Sequence, residues 1–318
     1  MTYLFQRLAM AVMLLLAVSM LTFGGMNVLG DPLFNILGPV AADTSNPTSV
    51  AKIEAATEKY HLDRPLPERY VRWLGDLVTG DFGVQFSSTG EPPVANLLKE
   101  RVPRTLQLLV LAQVMATVIS IPWALLAAAR VRRPTDRIST ITSFMLIALP
   151  NFALGIILKY LLGIRLGWFP LTYTASDPFW SRLHQLILPA LTIALPAAAV
   201  YQRLLRTDLV TTLQEDFILM ARSKGVPRHR VLLKHALRPS LFSFITVFGI
   251  NTGALIGGSL IVETIFRVPG LGSSIVEAIL REDFPVVLAI VMIATTTFVL
   301  VNIAVDLLYS VLDPRVRR

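Results

Sequence analysis

The sequence has no cysteine, which excludes disulfides and thiolate metal sites. Histidine is scarce. The four residues His61, His184, His229 and His235 include no pair at zinc-binding helical spacing and no His-Glu-x-x-His. A Gly-x-x-x-x-Gly-Lys-Ser/Thr phosphate loop is also missing, so this chain does not hydrolyse ATP by that route. No duplication is visible by eye, whereas many secondary transporters carry two related halves. No catalytic constellation and no resident cofactor or metal site is expected.

Apolar sequence fills the space these absences leave. The 318 residues are 54% hydrophobic and only 16% charged, with a mean hydropathy of +0.62. That balance suits a polytopic membrane protein. A net charge of +8 would suggest nucleic acid in a soluble chain, but here the basic residues gather in loops between apolar runs, as membrane topology requires. Nucleic acid is not an expected partner, and the bilayer is.

A spanning helix needs about 20 mostly apolar residues. Six candidates emerge, at about 8–29, 106–129, 138–162, 186–205, 241–265 and 285–309. The expected fold is therefore all-α. The first run is longer than a signal-peptide core of roughly 7–15 residues, so it is read as an uncleaved span within 1–30; cleavage near Ala41–Ala42 is the weaker alternative. Residues 31–102 are of mixed charge and carry several prolines. They read as a small extracytoplasmic domain, with a helix over 51–60 capped by Ser49, a stiff link over 62–67, and Trp73 and Phe82 as core. Residues 103–312 form the five-helix remainder and 313–318 a basic tail. Arg130, Arg132, Arg133 and Arg137 in one short loop, Arg203 and Arg206 in another, and Arg315, Arg317 and Arg318 at the end place both termini in the cytoplasm. Trp168, Phe169, Tyr173 and Trp180 suit the opposite interface.

One polar stretch, 215–239, stands between two apolar runs. Glu215 and Asp216 put negative charge at a helix start, and Arg222 and Lys224 put positive charge at its end. Gly225 falls where a left-handed cap belongs, and Pro227 forbids continuation. Phe217, Met220, Ala221 and Lys224 share a face by helical spacing. The pattern fits a docking piece for another protein, and it also fits an ordinary interfacial helix lying on lipid.

Other features admit a structural and a functional reading. Gly249, Gly253 and Gly257 line one face of the fifth span, for plain packing or for a homologous subunit beside a substrate path. Asn251, Thr252, Gln113 and Asn151 are polar groups available to such a path. Pro150, Pro189 and Pro196 are hinges or tolerated kinks. Glu263 and Asp306 lie near span ends, where a structural role is expected, with Arg315 a candidate partner for Asp306.

Ala221-x-x-x-Gly225 within the long loop resembles the EAA loop of importer-type ABC permeases. Leu219 and Met220 replace its Glu and first Ala, His235 its Ile, and the proline comes one place late, at Pro239. Ala221-Arg222-Ser223-Lys224-Gly225 is similar to the peptide-permease branch. So are Gly30-Asp31-Pro32, Leu62-Asp63-Arg64-Pro65-Leu66-Pro67 with Tyr70 and Trp73-Leu74, Gly80-Asp81-Phe82-Gly83 and Ile187-Leu188-Pro189-Ala190-Leu191. The most specific run is Val262-Glu263-Thr264-Ile265-Phe266, Pro269-Gly270-Leu271-Gly272, Asp283-Phe284-Pro285-Val286-Val287, Val305-Asp306-Leu307-Leu308-Tyr309 and Leu312-Asp313-Pro314-Arg315. Together these resemble the B-type permease subunit of dipeptide/oligopeptide ABC importers.

The resemblance implies six helices of the type I importer fold in a bacterial inner membrane. It implies a homologous C-type permease partner, two ATP-binding subunits that hold ATP and magnesium, and an extracytoplasmic substrate-binding protein. The loop at about 207–239 would be the coupling loop, with Glu215, Asp216, Phe217, Met220, Ala221, Arg222, Lys224 and Gly225 forming its coupling helix, and transport would proceed by alternating access. The cargo is not readable, since relatives carry dipeptides, oligopeptides, nickel complexes, glutathione or haem. The rival reading is a secondary transporter or channel acting without an ATPase.

Overall fold

The computed structural model describes residues 2–30, 32–86 and 91–312, with side chains left aside at 2–5, 29, 32, 256 and 306–312. The side chain of Asp306, and Asp31 and Arg315 altogether, therefore lie outside the described residues.

In chain order the helices are α1 (Thr2–Leu29), α2 (Pro32–Leu37), α3 (Pro47–Lys59), α4 (Leu66–Thr79), α5 (Val94–Ala129), α6 (Pro134–Ala148) and α7 (Asn151–Leu158). Then come α8 (Phe179–Thr212), α9 (Asp216–Ser223), α10 (Arg228–Arg230), α11 (Leu237–Phe266), α12 (Leu271–Leu280) and α13 (Phe284–Leu312). A 3-10 turn covers Gly38–Ala42, and π-helical turns cover Lys159–Arg165 and Val231–Ala236. Among the described residues there is no strand beyond a single bridge between Val84 and Pro93. The described residues are thus mostly helical, and several of the helices are strongly apolar.

Among the described residues, five helices are long and apolar enough to cross a bilayer. The pair α6 and α7 with its π turn meets the same test together, but bends by 107°. The cause is Pro150: Leu149 before it is forced into extended backbone, with ψ 125°, because the proline ring crowds a helical predecessor. In contrast, α8 runs unbroken through Pro189 and Pro196. The apolar helix α12 occupies a stretch that the six-span reading left unassigned, and the count reaches seven if each bent pair is one span.

Compactness divides the chain into two units, 1–103 with 270–300, and 104–269 with 301–318. In the first, Tyr70 and Trp73 of α4 stack on Phe23 of α1 at 5.6 and 5.3 Å, and the Tyr70 hydroxyl sits 2.7 Å from Ser19 Oγ. Val94 and Leu98 of α5 cluster with Leu271 and Ala278 of α12 and with Val286 and Ile290 of α13. The cap of α3 is Asn46, whose Oδ1 accepts from Thr48 N at 3.0 Å, and not Ser49 as expected; Pro47 starts the helix there. The expected stiff link is shorter, because Leu66 and Pro67 already begin α4.

In the second unit α8 is the central element. Its Tyr201, Leu205 and Leu209 are fully buried with Phe244 of α11 and Ala116, Ala124 and Ala128 of α5. A polar ladder joins α8 to α6. Arg206 Nε donates to Asp136 Oδ1 at 2.6 Å and its Nη2 to Oδ2 at 2.7 Å. One turn away, Gln202 Nε2 donates to Ser139 Oγ at 2.9 Å, and Ser143 Oγ donates to Gln202 Oε1 at 2.7 Å.

The glycine face of α11 is not uniform. Gly249 and Gly253 are buried, while Gly257 is exposed. A Cβ at Gly249 would collide with Val305 of α13, whereas one at Gly257 would meet nothing within 4 Å. Gly249→Leu should therefore cost about 1–3 kcal/mol by overpacking and lower the melting temperature of the detergent-solubilised chain, with Gly257→Leu near neutral; equal effects would contradict this packing. Asp136→Ala should cost about 2–3 kcal/mol, below the range for fully buried pairs because Arg206 keeps some solvent access. A double-mutant cycle with Arg206→Ala should recover most of that as coupling energy.

Candidate functional site

The candidate site is α9 with its flanks. Glu215 stands in extended backbone at its N-cap, and its carbonyl accepts from Ile218 N and Leu219 N at 3.0 and 3.2 Å. Asp216 supplies first-turn negative charge and Arg222 last-turn positive charge, each of the sign the helix dipole favours. The stop is a left-handed cap at Gly225, φ +77°. Gly225 N donates to the Arg222 carbonyl at 2.9 Å and Val226 N to the Ala221 carbonyl at 3.2 Å. Pro227 then starts α10.

One side chain anchors this short helix. Ile218 is fully buried with Leu209, Val231 and Ala236, and Leu213 and Val226 pack against them. Ala221, one turn on, is half-buried. The opposite surface is apolar yet open: Phe217 is 46% exposed, Leu219 56% and Met220 59%. Lys224 and Arg222 are exposed beside them. Phe217, Met220 and Lys224 are exposed, and Ala221 is half-buried between them and Ile218.

The stretch that follows α9 is basic: Arg228, Arg230, Lys234 and Arg238 are all exposed, with Leu233 exposed among them. Thr212 Oγ1, at the end of α8, lies 3.3 Å from Ser240 Oγ of α11. The site thus hangs between the ends of two long helices.

The polar residues of the apolar region fall into separate places. Gln113 is 6% exposed and fully engaged. Its Nε2 donates to Thr252 Oγ1 at 2.9 Å and to the Phe248 carbonyl at 3.2 Å, and its Oε1 accepts from the Tyr201 hydroxyl at 3.1 Å. This ties α5, α8 and α11 together. Thr252 belongs to that tie, and Asn251, half-buried, reaches the Tyr201 hydroxyl. Asn151 is half-buried just after the Pro150 break, with its Nδ2 against Gly258.

Glu263 is fully buried and accepts from Thr105 Oγ1 at 2.8 Å. Lys159 Nζ donates to the Ile265 carbonyl at 2.6 Å and sits 5.4 Å from the Phe266 ring. Sequence reasoning missed Ile218, Tyr201, Lys159 and the ladder of Asp136, Ser139, Ser143, Gln202 and Arg206. A signal existed for the ladder: Asp136 is the one acid in the basic loop 130–137.

Residues 120–318 match the family described as binding-protein-dependent transport system inner membrane component. The chain is 38% identical over 319 residues to the oligopeptide transport system permease protein AppB of Bacillus subtilis, covering 99% of this chain and 98% of that protein. It is 34% identical over 316 residues to the glutathione transport system permease protein GsiC of Escherichia coli K12, again covering 99% and 98%. An all-helical chain with a capped, outward-facing apolar helix between two of its long helices thus belongs to the family of inner-membrane components of binding-protein-dependent transport systems.

Proposed function

We propose that this chain is a permease subunit of an ATP-driven importer of short peptides in a bacterial inner membrane, with both termini in the cytoplasm. The observation that carries the reading is α9. It is short and well capped, it is held by one buried side chain, and it offers Phe217, Leu219 and Met220 to something outside the chain. Exposed apolar residues clustered on a rigid element mark a protein contact. The sequence has no phosphate loop, so the energy for transport comes from a separate subunit, and α9 with its Glu215, Asp216, Arg222 and Lys224 is where that subunit docks. ATP and magnesium belong to that partner. The names of the AppB and GsiC relatives support a peptide-sized cargo, with glutathione itself a tripeptide.

In this reading a homologous permease completes the path, two ATP-binding subunits sit under the pair, and a binding protein delivers cargo on the far side. Closure of the ATP-binding subunits moves α9, and Ile218 passes that movement to the cluster joining α8 and α11. Gly253, Gly257, Asn151 and Asn251 border the permease interface or the path. Gln113, Thr252 and Gly249 keep the helices in register. The segment between α1 and α5 lies outside the cytoplasm and helps receive the binding protein.

Gly225→Val tests the docking role. A β-branched residue is strained at φ +77°, so the cap should fail. In liposomes with all partner subunits, peptide uptake per ATP hydrolysed should fall steeply while the subunits still co-purify; unchanged uptake would remove the role assigned to α9. A second test uses the lack of native cysteine. Val78 on α4 is 81% exposed, and Val78→Cys carrying a short cross-linker should capture the binding protein when cargo is present. Capture by a cysteine in the 130–133 loop instead would reverse the assigned sides.

A further inference from the structure

Within the unit formed by 1–103 and 270–300 there is a half-enclosed cavity of about 270 Å³. One wall is Phe23, Met26 and Asn27 of α1, and another is Phe284, Pro285 and Leu288 of α13. These residues stand at the ends of two candidate spans, Gln6–Val28 and Phe284–Val305, at the depth where a bilayer changes from hydrocarbon to headgroups. The remaining wall is polar and aromatic, with Lys59, Tyr60, Arg69, Arg72, Trp73 and Asp76. Tyrosine and tryptophan at this level are typical of a membrane interface.

The cavity's charges are only partly paired, and the exposed carboxylate of Asp76 shares its lining with the cations. Lys59 Nζ donates to Glu91 at 2.6 Å, and Arg72 Nη2 donates to Glu68 at 3.0 Å. Arg69 is half-buried, and among the described residues no carboxylate pairs with it. Partial burial pushes its guanidinium below the ordinary arginine range, which an anion beside it would relieve. Arg69 presents a planar set of donors suited to phosphate oxygens, and α1 and α13 line the same cavity with apolar side chains.

We propose that this cavity binds the phosphate headgroup of a membrane phospholipid, with Arg69 on the phosphate and the acyl chains lying along α1 and α13. The volume is near the lower end of small-ligand pockets, roughly 300 Å³, enough for a headgroup while the chains stay in the bilayer. The site is independent of α9. A bound lipid here would brace α4 against α1, where Tyr70 and Trp73 already stack on Phe23.

The test is native mass spectrometry of the intact transporter, purified with its partner subunits and supplied with phosphatidylglycerol. Arg69→Glu should reduce retained lipid roughly tenfold, since one charge-assisted contact is lost and a repulsion gained. Arg69→Lys should retain most of it, and Arg64→Ala, an exposed charge outside the cavity, all of it. Thermal stability is the second reading: phosphatidylglycerol should raise the melting temperature of the wild type, and inorganic phosphate or glycerol phosphate at equal concentration should not. Lipid retention unchanged in Arg69→Glu would overturn the proposal. So would stabilisation by free phosphate alone, which would mark a soluble-anion site, or displacement of the lipid by transported peptide, which would mark part of the cargo route.

Discussion

Two neighbouring side chains on α8 hold the larger unit together by facing different helices. Tyr201 reaches Gln113 of α5 and Asn251 of α11, while Gln202 reaches Ser139 and Ser143 of α6. Apolar helices in lipid gain little from apolar contact alone, because the lipid is as apolar as the partner. Interhelical hydrogen bonds in membranes are worth about 0.6 kcal/mol on average, so neither group is a large source of stability. Their effect is on register. A turned or slid α8 would leave a buried amide unpaired, which costs roughly 1–3 kcal/mol. The bidentate Arg206–Asp136 contact fixes the same register a turn further along.

That constraint gives α9 its mechanical meaning. An eight-residue helix is too short to persist alone in water. It persists here because Ile218 is buried, the dipole is matched at both ends and Gly225 closes the last turn. Its attachment points are the end of α8 and the π turn leading to α11. Both helices are already locked to α5 through Gln113 and its partners. In the proposed coupling role, a push on α9 would not be absorbed by one helix sliding past its neighbour without breaking buried hydrogen bonds, and would displace the group of helices together.

The sequence made some of this plain and hid the rest for physical reasons. Gly225 and Pro227 determine a stop by backbone geometry alone, and the α9 boundaries followed from them. Pro150 likewise marked the break between α6 and α7. The inward face of α9 was hidden because Phe217-Ile218-Leu219-Met220-Ala221 is continuously apolar, which leaves no periodic signal to say which residue turns in. Spacing alone put Gly249 and Gly257 on one stripe, yet only the arrival of Val305 from α13 separates them. Arg206 read as a topology mark at the end of a span and Asp136 drew no reading; their pairing depends on how α6 crosses α8, which no local pattern records. Gln113 read as a path residue because a polar group in a span has two fates, facing water or facing another polar group. Tyr201 decides between them from a position 88 residues away in the chain.

The last step concerns stiffness. α11 has 30 residues, about 45 Å at 1.5 Å per residue, and its middle holds Gly249, Gly253, Gly257 and Gly258. Each interior glycine costs about 1 kcal/mol in helix propensity relative to alanine, so isolated from its neighbours this helix would be weak at its centre. The contacts compensate unequally along its length. Near its start Ser240 meets Thr212, and at its middle Val305 fills the notch of Gly249. At its far end Lys159 binds the Ile265 carbonyl, and Glu263 is buried against Thr105. Among the described residues Gly257 is exposed with nothing within 4 Å of where a Cβ would sit, while Asn151 Nδ2 lies against Gly258. Gly257 is thus the one glycine of the four with both an open face and a low helix propensity, so under the proposed role of α9 a bend of α11 is cheapest there, next to Asn151's contact at Gly258.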